Sequence, residues 1–256
     1  MRPRLPPPEE LISATARNMA GWHDVSVRAL GVRTQPDDRA WKACQPTPFI
    51  YFDWIALKPS ETEEVRAELD RLAGCLPPEL GPASVCDPWA RLRLETLDFR
   101  LGDPQPWWVR PVGERSEHRP KGLTIKRVDH TDALRHFEAV SVAGFGLPPV
   151  EPFSLHAPGV LDDPRMQAWV GSVEGHPVCA AMSFVEAGVV GVYGVATLPE
   201  ARRHGYGAAI TERAMSVASG LPSVLQPSPV GEGIYHRLGY RPFATFSTWI
   251  RPPAGR

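Results

Sequence analysis

The hydrophobic residues of this chain recur at helical spacing in some segments and alternate with polar residues in others. In the C-terminal half this pattern predicts strands at 123–128, 166–174, 178–186, 188–197, 223–226 and 243–250, and helices at 132–143, 206–218 and 232–238. In the N-terminal half it predicts helices at 9–20 and 89–97, strands at 25–32 and 49–57, and an extended segment at 99–109. A further helix is predicted to begin at a Ser60-x-x-Glu63 capping box and to end at Gly74. The mixture of helices and strands predicts an α/β (α+β) fold with helices flanking a central sheet.

One junction between a strand and a helix concentrates the chemistry of the chain. The strand at 188–197 ends at Leu198-Pro199, a turn with two arginines and two glycines follows at 202–207, and a helix begins there. The first N–H groups of a helix have no partner within the helix, and they lie at the positive end of its dipole. Glycine lets the backbone approach a ligand closely, and arginine adds positive charge. The junction is therefore predicted to bind a pyrophosphate.

Composition narrows the class of protein. The 256 residues suffice for one large domain or two modest ones, and the formal net charge of −1 includes no polybasic block, which argues against nucleic-acid or membrane-surface binding. The four cysteines are far apart and form no C-x-x-C pair, so we expect reduced thiols, no metal and a cytoplasmic protein. The N-terminal residues lack the apolar core of a signal peptide, and no apolar run is long enough to cross a membrane.

Three motifs in the C-terminal half carry a family resemblance. The turn reads Arg202-x-x-Gly205-x-Gly207, the strand before it ends in VATLP at 195–199, and 235–240 reads Y-x-x-L-G-Y. In this order and at these distances they resemble the acyl-CoA signature of the GNAT (GCN5-related) N-acetyltransferases. The resemblance covers residues 121–256 and implies a mixed, mostly antiparallel central sheet flanked by helices. It also implies acetyl-CoA as co-substrate, without a metal.

The same resemblance implies roles for individual residues. The backbone of Val195, Ala196 and Thr197 would hold the pantetheine arm, and Tyr235 would be the general acid that protonates the leaving thiolate. The pyrophosphate would lie among the residues of the turn and the first helical turn, which are Arg202, Arg203, His204, Gly205, Tyr206, Gly207 and Ala208.

Two positions depart from the family pattern. Ser228 stands seven residues before Tyr235, where members of the family often have asparagine, and the strand 191–195 has no carboxylate to act as base. Glu186, Glu174, His156 and a chain of water molecules remain open as the route for the proton of the amine. Tyr193 is expected to line the acceptor cleft.

The two halves of the chain resemble each other near their ends. LDFR at 97–100 and WVRP at 108–111 parallel LGYR at 238–241 and WIRP at 249–252, with the same internal spacing. The repeat predicts two GNAT-like domains, a degenerate one at 1–112 and a catalytic one at 121–256, with a linker at 113–120. In the first copy three glutamates at 61–64 replace the glycine turn and Leu94 replaces Tyr235, so residues 1–112 are not expected to bind CoA.

The leading hypothesis is an acyl-CoA-dependent N-acyltransferase, in class EC 2.3.1, that acetylates a primary amine of a small molecule or peptide by direct attack. The alternative is a non-catalytic acyl-CoA-binding sensor or interaction protein. A nucleotide enzyme is a third possibility, which the absence of a P-loop motif argues against. The protein is expected to be a monomer with an internal pseudo-dimer, or a homodimer.

Overall fold

The computed structural model describes residues 5–74, 83–113 and 120–252, and these residues form five helices around one large sheet. The helices are α1 (Pro8–Ala29), α2 (Thr62–Gly74), α3 (Thr131–Phe145), α4 (Tyr206–Met215) and α5 (Glu232–Arg237). The strands are β1 (Ala40–Lys42), β2 (Trp54–Ala56), β3 (Ala83–Asp87), β4 (Arg100–Leu101), β5 (Gln105–Arg110), β6 (Leu123–Val128), β7 (Met166–Val173), β8 (His176–Glu186), β9 (Val189–Thr197), β10 (Ser223–Leu225) and β11 (Arg241–Arg251).

The sheet has the strand order β1-β2-β3-β11-β5-β10-β9-β8-β7-β6, and β4 pairs with β11 outside this path. Two neighbouring pairs are parallel, β2 with β3 and β9 with β10, and every other strand pair that the structure describes is antiparallel. The predicted mixed, mostly antiparallel sheet with flanking helices is therefore confirmed.

The two halves of the chain contribute interleaved strands to this sheet. Strand β5 of the N-terminal half lies between β10 and β11 of the C-terminal half. Strand β11 pairs with β5 along 241–246 and with β3 along 247–251, so the last strand of the chain completes the sheet of the first half. The division into domains at 1–112 and 121–256 stays a prediction, but the two parts share one continuous sheet.

Helices cover both faces of the strands β7–β9. Alternate residues of a strand point to opposite faces, and on β8 Ala180 and Met182 join a cluster with α1 and α3, whereas Cys179 and Ala181 join one with α4 and α5. One face of the signature strand β9 is thus covered by α1 and α3, and the other by α4. None of the helices that the structure describes has both the length and the apolar character that a membrane span requires.

The first helix is longer than its sequence predicts. Helix α1 runs to Ala29 and so includes most of the segment 25–32 that is predicted to be a strand. Gly21 lies inside the helix instead of ending it. A Cβ atom on Gly21 would lie 2.8 Å from Cε1 of Phe184 and would collide with the carboxylate of Glu186. Glycine is therefore required here for close packing of α1 on β8, and the strand prediction was wrong because Val25 and Val27 fit both periodicities.

The short strands of the N-terminal half were also misjudged. The sequence pattern predicts no strand at β1 or β3, and only Trp54–Ala56 of the predicted strand 49–57 pairs with neighbours. The helix predicted at 89–97 is a single 3₁₀ turn at Glu95–Leu97. Strands of three to five residues leave too few periods to be read from alternation alone, and their pairing partners lie far away in the sequence.

Candidate active site

Strands β9 and β10 run together only at their beginning. They pair through Val190 and Gly191, and beyond Gly191 the described residues pair β9 with β8 alone. The backbone of β9 from Val192 to Thr197 thus has one edge without a strand partner, which opens a cleft toward β10. An unpaired edge of this kind offers its N–H and C=O groups to an extended ligand.

A β-bulge bends β9 inside this cleft. Met182 pairs with Tyr193 and Ala180 pairs with Ala196, so Gly194 and Val195 together face Ala181 of β8. Gly194 has a φ of +59°, a conformation that favours glycine. The bulge interrupts the regular alternation of the strand and leaves backbone groups at 194–195 outside the β8 ladder.

The basic turn ends at the N-terminus of α4, as the sequence predicts. Gly205 caps the helix with a φ of +82°, and Arg203 also has a positive φ, +68°. The N–H of Ala209 makes the first helical bond, to the Gly205 carbonyl at 3.1 Å. The N–H groups of Tyr206, Gly207 and Ala208 precede that bond and point out of the helix end, where an anion is stabilised.

Gly207 brings three elements close together. A Cβ atom added to Gly207 would lie 3.3 Å from Oγ1 of Thr197 on β9 and 3.6 Å from Cδ1 of Ile234 on α5. The end of the unpaired strand and the start of α4 are therefore adjacent, so one ligand could contact both the edge of β9 and the N–H groups of α4.

Two side chains of the turn, those of Arg202 and His204, contact other parts of the protein. The guanidinium of Arg202 donates to the carbonyls of Thr197 (3.3 Å) and Gly144 (2.8 Å), which ties the end of β9 to the end of α3. Nδ1 of His204 lies 2.9 Å from the Arg202 carbonyl, and the His204 ring stacks on Tyr206. Arg203 is exposed. Arg202 thus also connects the end of β9 to α3, a structural role that the motif alone did not indicate.

Tyr235 lies on α5 in the hydrophobic cluster that also contains Val192 of β9 and Leu225 of β10, so it stands near the divergence of the two strands. Its side chain is buried, and burial raises the pKa of its hydroxyl to about 12. The ring packs edge-on against Tyr240, whose hydroxyl is 2.6 Å from that of Ser223. The position suits a proton donor, and the phenol is protonated at neutral pH.

The three side chains weighed as bases lie in different places. Glu174 is exposed in the turn between β7 and β8. Glu186 is half-buried with its carboxylate 3.2 Å from Arg165, and burial raises its pKa. His156 is buried, and burial lowers its pKa to about 4. Of these, only the two latter side chains lie on the face of β9 that α1 and α3 cover.

Sequence reasoning missed the contribution of α1 to this face. The ring of Tyr193 stacks on Trp22 with centroids 4.4 Å apart, and its hydroxyl donates to Oδ1 of Asn18 at 2.7 Å. The amide of Asn18 also donates to the carbonyl of Phe184 at 3.0 Å. A fully buried asparagine in a helix is the signal that a long-range partner exists, but nothing in the sequence names that partner.

Comparison with solved structures decides the fold. A GCN5-related N-acetyltransferase from Kribbella flavida matches at 21% identity over 98% of both chains, with a TM-score of 0.64. The chain has the GNAT fold. A GNAT-family protein from Novosphingobium aromaticivorans matches at 15% identity, 93% of this chain and 98% of its own, with a TM-score of 0.60. A functionally unknown protein from Staphylococcus epidermidis matches at 16% identity, 86% of this chain and 93% of its own, with a TM-score of 0.63.

The matches to the Kribbella flavida and Novosphingobium aromaticivorans proteins extend over both halves of the chain, so the N-terminal half belongs to the shared architecture. No family model and no curated protein matches the sequence. The described residues contain no group of three or more His, Cys, Asp or Glu side chains that could hold a metal ion.

Proposed function

We propose that this protein transfers the acetyl group of acetyl-CoA to a primary amine of a small molecule or peptide. The observation that carries the proposal is the adjacency of the unpaired edge of β9 to the free N-terminus of α4 across Gly207. The edge of β9 can hold the amide-bearing pantetheine arm, and the N-terminus of α4 can hold the pyrophosphate. The GNAT fold of the chain supports the same reading.

The substrate would extend from the helix to the bulge. The pyrophosphate would accept hydrogen bonds from the N–H groups at 205–208, and the arm would pair with the backbone of Val195, Ala196 and Thr197. The thioester would then lie near the bulge, where N–H groups outside the ladder can stabilise the oxyanion that forms on attack. Tyr235, neutral and buried near the divergence of the strands, would protonate the departing thiolate.

A non-catalytic acyl-CoA sensor remains the second candidate, and one observation favours it. The acceptor face of β9 is covered by α1, where Trp22 stacks on Tyr193 and Asn18 bonds to the Tyr193 hydroxyl. A protein that binds acetyl-CoA without transferring its acetyl group would have the same cradle.

Isothermal titration with acetyl-CoA and with CoA tests the binding step. We expect one site per chain, because among the residues that the structure describes only α4 offers a free helix end beside an open strand. Two sites would overturn the prediction that residues 1–112 do not bind CoA. Absence of binding would overturn the proposed pyrophosphate site at the N-terminus of α4. Thiol release is then measured with a hexosamine, a polyamine, an arylamine, an aminoglycoside and a lysine peptide. Binding without transfer to any of these amines would favour the sensor.

A further inference from the structure

The loop after α3 is held in place by one buried carboxylate. Glu138 of α3 accepts hydrogen bonds from the backbone N–H groups of Phe153, Leu155 and His156, the last at 3.0 Å. Three bonds from one carboxylate fix the local backbone and thereby the direction of the His156 side chain. A loop that is otherwise rich in proline and irregular is thus rigid at the histidine.

His156 lies on the acceptor side of the bulge. Its ring packs edge-on against Phe137 of α3, with centroids 5.2 Å apart. The same Phe137 ring faces Gly194, since a Cβ atom on that glycine would lie 3.8 Å from Cζ of the phenyl group. One aromatic ring therefore separates the imidazole from the bulge, on the face opposite to the α4 helix and the pyrophosphate cradle.

Hydrogen bonding determines which nitrogen of His156 is free. The hydroxyl of Tyr51 is 2.7 Å from the Leu155 carbonyl and 3.1 Å from Nδ1 of His156. The carbonyl can only accept, so the single hydroxyl proton of Tyr51 is donated to it, and Nδ1–H of His156 must donate to the Tyr51 oxygen. A neutral imidazole that carries its proton on Nδ1 has a lone pair on Nε2.

We propose that His156 is the base of the reaction, with Tyr51 of the N-terminal half as the residue that holds its tautomer. The proposal rests on the acetyltransferase function proposed above. Through bridging water, Nε2 takes a proton from the ammonium group of the acceptor, and the neutral amine attacks the thioester carbon. The tetrahedral intermediate collapses with cleavage of the C–S bond, and the thiolate takes the proton of Tyr235. The amide nitrogen gives its surplus proton back to that tyrosine, and His156 releases its proton to solvent.

The surroundings of His156 keep it neutral at physiological pH. Burial lowers its pKa to about 4, and the polar groups that face it are Tyr51 from the first half, Glu138 from α3 and, across Tyr51, His23 from α1. Burial also lowers the pKa of His23 to about 4, and raises that of Tyr51 above its usual value. The imidazole is therefore neutral throughout the neutral range, with its Nε2 lone pair available. A base this weak holds the proton only transiently and must pass it on to solvent.

This role gives the degenerate half a function in the reaction. Tyr51 is 2% exposed and packs against Trp22 and His23 of α1, so the first half positions the hydroxyl through its own core. The sequence repeat alone predicts only that the first half does not bind CoA. The hydrogen bond from Nδ1–H of His156 to the Tyr51 hydroxyl oxygen indicates that this half supplies an orienting group to the other.

The decisive variant is His156→Asn, because its amide keeps an N–H donor toward Tyr51 but has no atom in the place of Nε2. With the most active amine of the panel, we expect kcat to fall by about 10²–10⁴-fold while acetyl-CoA binding by titration is unchanged. We expect the residual rate to rise about tenfold per pH unit, since hydroxide or the free amine must replace the base, whereas the wild-type rate is flat between about pH 6 and 8. The matched control, His136→Asn, alters an exposed histidine of α3 and should change neither quantity.

Two results would overturn the proposal. A His156→Asn protein with the kcat and pH profile of the wild type would reduce the histidine to a packing role. Imidazole ¹⁵N shifts that place the proton of His156 on Nε2 in the wild type would exclude it as a base, whether or not an acceptor is found; Tyr51→Phe should redistribute the proton between the two nitrogens. Failure of the wild type to acetylate any amine would instead contradict the proposed function, so the two failures are distinct.

Discussion

Helices α4 and α2 each connect two strands that pair in parallel, but their N-termini differ in chemistry. Strand β9 runs parallel to β10 through two residues, and β2 runs parallel to β3 through two residues. Helix α4 then begins after a glycine turn, with no acidic residue in its first turn. Helix α2 begins with two glutamates in its first turn, and the carboxylate of Glu64 accepts the Glu61 N–H at 3.0 Å. One helix end is open to an anion, and the other is closed by its own side chain.

The clefts beside these helices differ in the same way. In the first half Trp54, Leu92 and Leu94 are 1% exposed or less and share one cluster with Leu69 of α2. In the second half Tyr235, which the predicted sequence repeat aligns with Leu94, shares a cluster with Val192 of β9 and Leu225 of β10. The difference teaches that two similar strand-helix-strand units can present either a helix end open to an anion or one closed by carboxylates beside packed apolar side chains, so the fold alone does not specify a binding site.

The largest expected effect on ligand affinity comes from a substitution that places an acidic N-terminal cap, as in α2, on α4. Ala208 occupies the third position of α4, as Glu64 does in α2, so Ala208→Glu places a carboxylate over the free N–H groups. The helix should keep or gain stability, but acetyl-CoA binding should weaken by at least about 100-fold through charge repulsion and occupation of the donors. Titration measures the affinity. Ala208→Gln is the matched control with the same size and no charge, and an equal loss in both variants would reject the electrostatic explanation.

The second expected effect concerns the tyrosine that distinguishes the two clefts. Tyr235→Phe removes the hydroxyl and keeps the packing against Tyr240, so we expect kcat to fall about 10–100-fold while CoA affinity changes less than about twofold. Steady-state kinetics with the most active amine and titration with CoA measure the two quantities. Unchanged turnover would remove Tyr235 from the mechanism and leave it as a core aromatic residue, like its neighbour Tyr240.

The smallest expected effect tests the closed helix end. Glu64→Ala removes the carboxylate that caps the Glu61 N–H and pairs with Arg39 at 3.1 Å. Because Glu64 is exposed to solvent, we expect only a small loss in the free energy of unfolding. Thermal denaturation measures this change. The variant should not create a second CoA site, because Leu92 and Leu94 still fill the cleft; a second site in titration would contradict this account.

Much of the C-terminal half followed from local sequence. The strand, glycine turn and helix at 188–218 can be predicted because alternation, a proline, two glycines and helical spacing follow one another without a gap, and each is a short-range signal. The segments of the first half were predicted poorly. Gly21 resembles a helix end in the sequence but lies inside α1, because the requirement for a missing Cβ comes from Glu186 and Phe184, far along the chain.

The sequence by itself determined the chemistry of the cradle, since glycine conformations, the free N–H groups and the absence of an acidic cap are properties of consecutive residues. Only the tertiary structure decided what faces the other side of β9. The exchange of β5 and β11 between the halves, the stacking of Trp22 on Tyr193 and the bond between Tyr51 and His156 join residues separated by a hundred positions or more. Contacts at such separations depend on how the strands order themselves in the sheet, and no local pattern specifies that order.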